Sequence, residues 1–244
     1  MKQIFDSLKK QSPSRIIALG FSVVILVGAV LLMMPFSLKK GVHLSFLNAL
    51  FTSTSAVCVT GLVVVDTADS FTAIGQAIVA ALIQIGGLGI ASVGVGLIIA
   101  AGKRVSIKSR LMVKEALNVD TYHGMVRLVR IVLAITLGFE AAGAIISFFV
   151  FRKDYSPLHA VGISIFHSIA AFNNAGFDNL GGMHNLIPYK DNILLNITTD
   201  VLVIVGVIGF LVLVDIVKQK SFKKLCLHSK VAISMTAVLL IGGT

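Results

Sequence analysis

Four long apolar runs limit the folds open to this chain. Two contain no charged residue, the 19 residues Ile16–Met34 and the 29 residues Ala73–Ala101, and two more, Ile131–Phe151 and Ile193–Val214, each contain one acid. Each run is long enough to cross a hydrocarbon core that needs about 20 helical residues. Only 13% of the residues are charged, about half the share of a typical soluble domain. The sequence therefore excludes a soluble globular fold and predicts an all-α membrane protein.

The basic residues are divided unequally between the two sides of the predicted spans. One side carries 16 of the 21: Lys2, Lys9, Lys10, Arg15, Lys103, Arg104, Lys108, Arg110, Lys114, Arg127, Arg130, Lys218, Lys220, Lys223, Lys224 and Lys230. The other side carries Lys39, Lys40, Arg152, Lys153 and Lys190. Because the more basic side of a membrane protein faces the cytoplasm, we predict a multi-pass protein of the plasma membrane with a cytoplasmic N-terminus. We interpret the charge as a topology signal with membrane lipid as partner, and we predict no nucleic-acid partner.

The sequence contains no pattern typical of a cofactor site. Cys58 and Cys226 are predicted on opposite sides of the membrane, which excludes a disulfide between them, and two cysteines make no metal site. The six histidines show no metal-ligand spacing. No G-x-S-x-G or Ser-His-Asp arrangement indicates an enzyme. The glycines of the stretch 86–96 are interpreted as a close helix-packing surface. The predictions are no enzyme activity, no cofactor and no transition-metal site.

Two further apolar stretches are too short to cross a membrane. They are the 11 residues Phe46–Ala56 and the 13 residues His159–Ala171, which as helices reach roughly half of a ~30 Å core. Ser45 is a candidate N-cap of the first, and Ser156 with Pro157 is a helix-start signal for the second. We predict two re-entrant half-helices, each lying between two full spans.

The two halves of the chain share a pattern at an offset of 115 residues. The matched pairs are Phe51 and Phe166, Ala56 and Ala171, Gly61 and Gly176, and Leu62 and Phe177. Gly86–Ile90 and Gly206–Phe210 also share G-x-x-G plus a large apolar residue. The pattern predicts parallel repeats of span, half-helix, loop and span. The predicted divisions are residues 1–105, 106–226 and 227–244, the last being the start of a third repeat in what we expect to be a fragment.

The loop after each half-helix has the residues expected of a cation filter. Backbone that leaves a helix inside a membrane must be buried or line water, and a helix C-terminus favours a cation. Backbone carbonyls in such a loop are able to replace a cation's water shell, and glycine gives the backbone the freedom to turn them inward. The candidate filter residues are Val57, Cys58, Val59, Thr60, Gly61, Phe172, Asn173, Asn174, Ala175 and Gly176. A Thr60 hydroxyl ligand, asparagine side chains that only brace the second loop, and two ordinary turns remain alternatives.

Several motifs together resemble the Ktr/Trk/HKT potassium transporter superfamily, and within it the bacterial KtrB-type membrane subunit, over nearly the whole chain. These motifs are Phe51–Leu62 (FTSTSAVCVTGL), Val65–Thr67 (VDT), Gln84–Gly89 (QIGGLG), Glu115–Asn118 (EALN) and Phe166–Phe177 (FHSIAAFNNAGF). The resemblance implies four repeats around one potassium pore, with Gly61 and Gly176 as two of four filter glycines. It also implies a homodimer of full-length subunits and a cytosolic nucleotide-binding regulatory ring. A glycine rather than a serine at position 61 favours potassium over sodium by the same analogy.

The chain departs from the family in two respects. Cys58 stands where relatives commonly have a hydroxyl residue, so a side-chain ligand is not expected there. The third and fourth filter loops are absent from the 244 residues. We therefore expect this sequence to supply half of a filter.

The acidic residues leave alternatives open. Glu140 lies in the middle of a predicted span, where an ionisable group is a functional candidate, although a bond to a half-helix end is the simpler interpretation. Asp66 and Asp69 follow the first loop, where they either attract cations or form an ordinary solvated loop. Asp215 is expected to pair with Lys218 or Gln219. A secondary carrier coupled through Glu140 and a nonconducting half-subunit are the alternative functions.

Overall fold

The computed structural model describes residues 12–117 and 124–242. Apart from one isolated bridge between Leu38 and Phe71, these residues form helices and connecting loops. The helices are α1 (Pro13–Met33), α2 (Phe46–Cys58), α3 (Thr67–Ser70), α4 (Ala73–Leu88), α5 (Ile90–Ala100), α6 (Ile107–Ala116), α7 (Met125–Phe151), α8 (Pro157–Phe172), α9 (Ile193–Val207), α10 (Phe210–Gln219) and α11 (Leu227–Gly242), with 3-10 turns at Ile187–Tyr189 and Phe222–Lys224. The basic residues Lys2, Lys9 and Lys10, Asn118 of the fourth motif, and Gly243 and Thr244 lie outside the described residues.

Two of these helices are long and apolar enough to cross a membrane as single pieces. They are the 20 residues Ser14–Met33 of α1 and the 27 residues of α7. Apolar side chains such as Val23 and Val27 of α1 are about half exposed, which suits contact with lipid chains rather than with water. The all-α membrane fold predicted from composition is confirmed at this level.

The other two predicted spans are not straight. The run Ala73–Ala101 is divided into α4 and α5, which meet at 105°, and the run Ile193–Val214 into α9 and α10, which meet at 97°. Gly89 and Gly209 occupy the two breaks with φ of +77° and +94°, a backbone conformation that glycine adopts at little cost. Each of these two runs is therefore a bent pair of helices, which apolar composition does not distinguish from a straight span.

The two short apolar helices are confirmed close to their predicted bounds. The Ser45 side chain accepts a hydrogen bond from the Asn48 N–H at 3.2 Å and so caps α2. At α8, Pro157 occupies the first helical turn as predicted, but Ser156 makes no side-chain capping bond. Proline at this position has no N–H, which is one of the helix-start groups that would in any case lack a partner within the helix.

Each short helix is bonded to the long helix that precedes it. The Ser53 hydroxyl of α2 donates to the Ile25 carbonyl oxygen of α1 at 2.7 Å. The Ser168 hydroxyl of α8 donates to the Glu140 carbonyl oxygen of α7, also at 2.7 Å. Both members of the second pair stand 115 residues after those of the first.

The largest buried cluster joins the two halves of the chain. It combines Leu32 of α1, Val57 of α2 and Ile83 of α4 with Phe166 of α8 and with Phe177 beyond it. These side chains come from both predicted repeats, and their burial removes apolar surface from solvent. This shared core holds the ends of α2 and α8 next to each other.

The hydrogen bonds of Asp215 differ from the expectation. Its Oδ2 accepts from the Cys226 N–H at 2.9 Å and from the Ser229 hydroxyl at 2.7 Å, rather than from Lys218 or Gln219. Since α11 begins at Leu227, the carboxylate of Asp215 lies at the positive end of that helix. The chain reversal between α10 and α11, which local spacing does not encode, makes these bonds possible.

Candidate functional site

Both short helices end in the same backbone geometry. Val59 and Asn174 follow them in the left-handed region, with φ of 56° and 57°. The Thr60 N–H then bonds the Ser55 carbonyl at 3.0 Å, and the Ala175 N–H bonds the Ala170 carbonyl at 2.8 Å. A left-handed residue with such a backward bond terminates a helix and uses some of its last carbonyls. The chain thus leaves both helices abruptly, one residue before the segments Thr60–Gly61 and Ala175–Gly176.

The two predicted filter glycines lie in contact with each other. Gly61 and Gly176 have φ of +73° and +68°. A Cβ atom placed on Gly61 would stand 2.9 Å from the Ala175 carbonyl oxygen and 3.2 Å from the Gly176 Cα, and one on Gly176 would stand 3.1 Å from the Gly61 Cα. Both the backbone angle and the lack of space require glycine here. All ten sequence-predicted site residues belong to these two adjoining segments.

A second pair of glycines supports the loops from behind. Gly86 of α4 touches the carbonyl group of Val57, and Gly206 of α9 touches that of Phe172. A Cβ on either glycine would collide with the carbonyl carbon, at 2.8 Å and 2.9 Å respectively. The glycines 86 and 206 therefore let a following helix pack directly on the last turn of a short helix. The predicted close-packing role of the 86–96 stretch holds for glycines 86, 87 and 96, whereas glycines 89 and 94 have no atom within 4 Å of a would-be Cβ.

The backbone carbonyl oxygens at the ends of the two short helices, in residues 58–61 and 173–176, have no hydrogen-bond partner in the described part of the chain. None of the described hydrogen bonds is accepted by a backbone oxygen of residues 58–61 or 173–176, whereas the Phe172 oxygen accepts one from the Asn174 side chain at 3.3 Å. Two adjoining segments with free carbonyl oxygens are able to provide ligands to a cation.

The side chains of the second loop are used to hold it in place. Asn173 is buried, and its Nδ2 lies 3.1 Å from Gln84 Oε1, 3.2 Å from Glu140 Oε1 and 2.9 Å from the Ile169 carbonyl oxygen. Asn174 Nδ2 lies 3.4 Å from the Val203 carbonyl oxygen. These contacts agree with the bracing role considered for the asparagines. The link between Asn173 and Gln84 was not predicted, because it crosses 89 residues of sequence.

The side chain of Thr60, in the first loop, is hydrogen-bonded to the last turn of α2. Its Oγ1 donates to the Ser55 Oγ at 2.9 Å. Cys58 is exposed, while the second loop's Phe172 and Ala175 are buried. The first loop is therefore the more open of the two.

A cavity of about 230 Å³ lies beside the two glycines. It is lined by Gly61, Gly176, Asp66 and Asp178, together with Val63, Thr67, Met183 and Asn185. Burial raises the pKa of Asp178; the Leu180 N–H bond acts in the opposite direction, and the neighbouring Asp66 charge adds to the rise. Sequence reasoning missed Asp178, although its place two residues after Gly176 is a signal that could have identified it.

The two acids considered as cation attractors mainly hold backbone N–H groups. Asp66 Oδ2 accepts from the Met183 N–H at 2.7 Å, and Asp69 Oδ2 accepts from the Gly182 N–H at 3.0 Å. Asp66 also caps α3 through the Asp69 N–H at 2.8 Å. These bonds connect the segment after the first loop to the segment after the second, and Asp69 stays exposed while it makes its bond.

The comparisons with known proteins agree with this architecture. A family model described as TrkH, cation transport protein, matches residues 7–239. The chain belongs to this family. The resemblance to the Ktr/Trk/HKT superfamily that the sequence motifs indicated is thereby confirmed, and the chain is a membrane protein of the TrkH family.

Individual relatives are similar over almost all of this chain. The potassium/sodium uptake protein NtpJ of Enterococcus hirae is 40% identical over 235 residues, which are 96% of this chain and 52% of that protein. The Ktr system potassium uptake protein B of Bacillus subtilis is 40% identical over 228 residues, 93% of this chain and 50% of that protein. The protein of the same name from Vibrio alginolyticus is 36% identical over 241 residues, 98% and 52%. The chain therefore spans about half the length of these curated relatives.

Proposed function

We propose that this TrkH-family chain supplies two of the filter loops of a potassium transport subunit in the plasma membrane. The observation that carries the proposal is the contact of Gly61 with Gly176, each preceded by carbonyl oxygens without hydrogen-bond partners in the described residues. The names of the relatives, a potassium/sodium uptake protein and Ktr system potassium uptake proteins, support the choice of ion.

In this mechanism a cation enters from outside and exchanges its water for backbone carbonyls. The proposed filter segments are Val57–Gly61 and Phe172–Gly176. Since the carbonyls of Val57 and Phe172 rest on Gly86 and Gly206, the oxygens of residues 58–61 and 173–176 are assigned to the ion. The C-terminal ends of α2 and α8 add the negative ends of their dipoles. The ion then moves down its electrochemical gradient.

We further propose that residues 1–105 and 106–226 are parallel repeats, and that residues 227–244 begin a third. Support comes from equivalent contacts on the two sides: Ser53 with Ile25 and Ser168 with Glu140, and the glycine pairs that end in Gly86 and Gly206. The bends at Gly89 and Gly209 add a further matched pair. In this arrangement α2 and α8 are re-entrant half-helices.

The remaining parts of the assembly are assigned by resemblance. The third and fourth filter loops would come from a longer protein, which would act as a homodimer with a cytosolic nucleotide-binding ring. The cytoplasmic N-terminus follows from the positive-inside rule. Selectivity for potassium over sodium rests on glycine at position 61, and K⁺ is the transported substrate rather than a cofactor.

Rubidium and sodium uptake would test this proposal in bacterial cells that lack their own potassium uptake. The complete protein encoded by the gene is compared with its Gly61→Ser and Gly41→Ser variants. Gly41 is a matched control because its φ is +82° and no atom lies within 4 Å of its would-be Cβ. We expect Gly61→Ser to reduce rubidium uptake and to admit more sodium, with Gly41→Ser close to the parent. Unchanged selectivity in Gly61→Ser would contradict the filter assignment.

A secondary carrier is the second candidate function because Glu140 is a buried acid beside the second loop. It is 6% exposed and lies 3.2 Å from Asn173 Nδ2. A carrier of this kind would bind and release a coupling ion at the carboxylate. The pore is preferred because the structure gives Glu140 a neutral amide partner at the end of α8, a contact that accounts for its burial without ion coupling.

A further inference from the structure

A basic cavity lies where α5, α6 and α7 approach one another. Its residues lie between positions 99 and 130, outside both filter loops. Its volume is about 430 Å³, within the ordinary range for small-ligand sites. Lys103 and Arg104 of the α5–α6 loop, Arg110 of α6 and Arg130 of α7 line it, with Ile99 and Val126 among its apolar walls. No carboxylate belongs to its described lining, so four positive charges converge there without a counter-charge from the wall.

Arg110 has a buried hydrogen-bond donor for which the cavity supplies no acceptor. Its Nε is buried and has no hydrogen-bond acceptor among the described residues. Leaving a buried donor unpaired costs about 1–3 kcal/mol, and four like charges in one cavity repel one another. An anion held between these side chains would satisfy the donor and relieve the repulsion.

We propose that this cavity binds a phosphate group, supplied either by the headgroup of an anionic phospholipid or by free phosphate. Guanidinium groups match phosphate oxygens with paired hydrogen bonds, and the site contains three arginines. The first turn of α6, which carries Arg110, adds the positive end of a helix dipole. Ile99 and Val126 give the cavity the apolar side that a lipid glycerol and chain would contact. Basic pockets between membrane helices bind anionic headgroups in this way.

The site is independent of the filter, since none of its residues belongs to either loop. The neighbouring Arg127 offers a matched control: it lies on α7 three residues before Arg130 and is exposed as Arg130 is, but it does not line the cavity. A diffuse attraction between a basic surface and an anionic membrane would respond equally to Arg127 and Arg130. A built site would respond to Arg130 and Arg110 alone.

Native mass spectrometry of the complete protein in detergent tests this proposal. Dioleoyl phosphatidylglycerol, dioleoyl phosphatidylcholine and inorganic phosphate are titrated separately against the parent and the Arg110→Gln, Arg130→Gln and Arg127→Gln variants. We expect Arg110→Gln and Arg130→Gln each to weaken phosphatidylglycerol binding about fivefold, with Arg127→Gln unchanged and phosphatidylcholine bound weakly. Arg110→Lys, which keeps the charge but loses the fork, is expected to weaken binding less than Arg110→Gln.

The arms of the titration separate the two sources of phosphate. The site would be assigned to free phosphate if millimolar inorganic phosphate displaced phosphatidylglycerol and if Arg110→Gln and Arg130→Gln lost phosphate binding. Resistance to that competition would assign it to a lipid headgroup. Equal weakening by Arg127→Gln, or equal binding of phosphatidylcholine, would overturn the proposal. Unchanged melting temperatures of the variants establish that binding, not folding, is measured.

Discussion

Asn173, at the end of the second short helix, donates a hydrogen bond of 3.2 Å to the carboxylate of Glu140. The same amide group lies 3.1 Å from Gln84 Oε1, so one side chain joins α4, α7 and α8. Side-chain bonds between distant segments hold a loop in place, although Gln84 Nε2 is buried here without a hydrogen-bond partner among the described residues. The bond therefore assigns Glu140 a positioning role that does not require the carboxylate to change its charge.

The first prediction concerns replacement of Glu140 by glutamine or alanine. Glu140→Gln keeps an Oε1 acceptor for Asn173, so we expect rubidium uptake to stay within about twofold of the parent. Glu140→Ala removes one of the three acceptors around Asn173 Nδ2 and leaves a cavity beside the loop, so we expect slower uptake and a lower melting temperature. Uptake into potassium-depleted cells measures the first effect, and thermal unfolding in detergent the second. Loss of all transport in Glu140→Gln would favour the carrier instead.

The second prediction concerns the glycines behind the two loops. A methyl group at Gly86 or Gly206 would collide with the carbonyl group of Val57 or Phe172, and relief of such overpacking costs about 1–3 kcal/mol. We expect Gly86→Ala and Gly206→Ala to impair rubidium uptake strongly and to a similar degree. Gly94→Ala is the control, because this helical glycine has no atom within 4 Å of its would-be Cβ. Normal uptake by both variants would count against a supporting role for these glycines, and impairment of only one would count against equivalent roles for α4 and α9.

The third prediction concerns the bond between Asp66 and Met183. Asp66 Oδ2 accepts from the Met183 N–H at 2.7 Å, and Met183 has a φ of +52°. Asp66→Ala removes this charged acceptor and the cap of α3, so we expect a loss of stability of about 2 kcal/mol and faster proteolysis near residues 181–185. Limited proteolysis and thermal unfolding measure both effects. The exposed Asp191 supplies an Asp→Ala control, and equal proteolysis of the two variants would mean that the bond does not hold this segment.

Sequence reasoning located the candidate site because its signals are local. An N-cap at Ser45, a proline at position 157 and apolar stretches of limited length were enough to predict α2 and α8, and the offset of 115 residues was enough to align Gly61 with Gly176. Left-handed backbone and close approach both require glycine, so these two residues are visible in the sequence. Their use as an ion filter stays a prediction.

The features that sequence reasoning did not find depend on the arrangement of distant segments. The bends at Gly89 and Gly209 lie within runs whose composition suits a straight span equally well. The Asn173–Gln84 contact and the bond from Met183 to Asp66 cross 89 and 117 residues. Partners so far apart have no spacing rule. The packing of α4 against α8 brings Gln84 to Asn173, and the loops that follow the two predicted filter glycines bring Asp66 to Met183.

The fourth prediction concerns Asp178, which shares a cavity with Gly61 and Gly176. Burial raises the pKa of this carboxyl, so it becomes protonated at a higher pH than an ordinary aspartate. A unit charge attracts a cation 4 Å away by about 1 kcal/mol in water, roughly a fivefold effect on its local concentration. We expect rubidium uptake to fall as the external pH is lowered from neutral, and Asp178→Asn to be slower at pH 7 with a weaker pH dependence.

Asp178→Asn should slow rubidium uptake at pH 7 but stabilise the folded protein. A group with a raised pKa favours the folded state below its ordinary pKa, and this contribution is lost as the pH rises through the raised pKa. At pH 7 the charged Asp178 therefore opposes folding, and Asp178→Asn should melt at a higher temperature than the parent, with the difference vanishing in acid. Asp191→Asn, an exposed acid outside the cavity, should alter neither property. A variant at position 178 that is both slower and less stable would mean that the carboxylate holds the loop rather than attracts the ion.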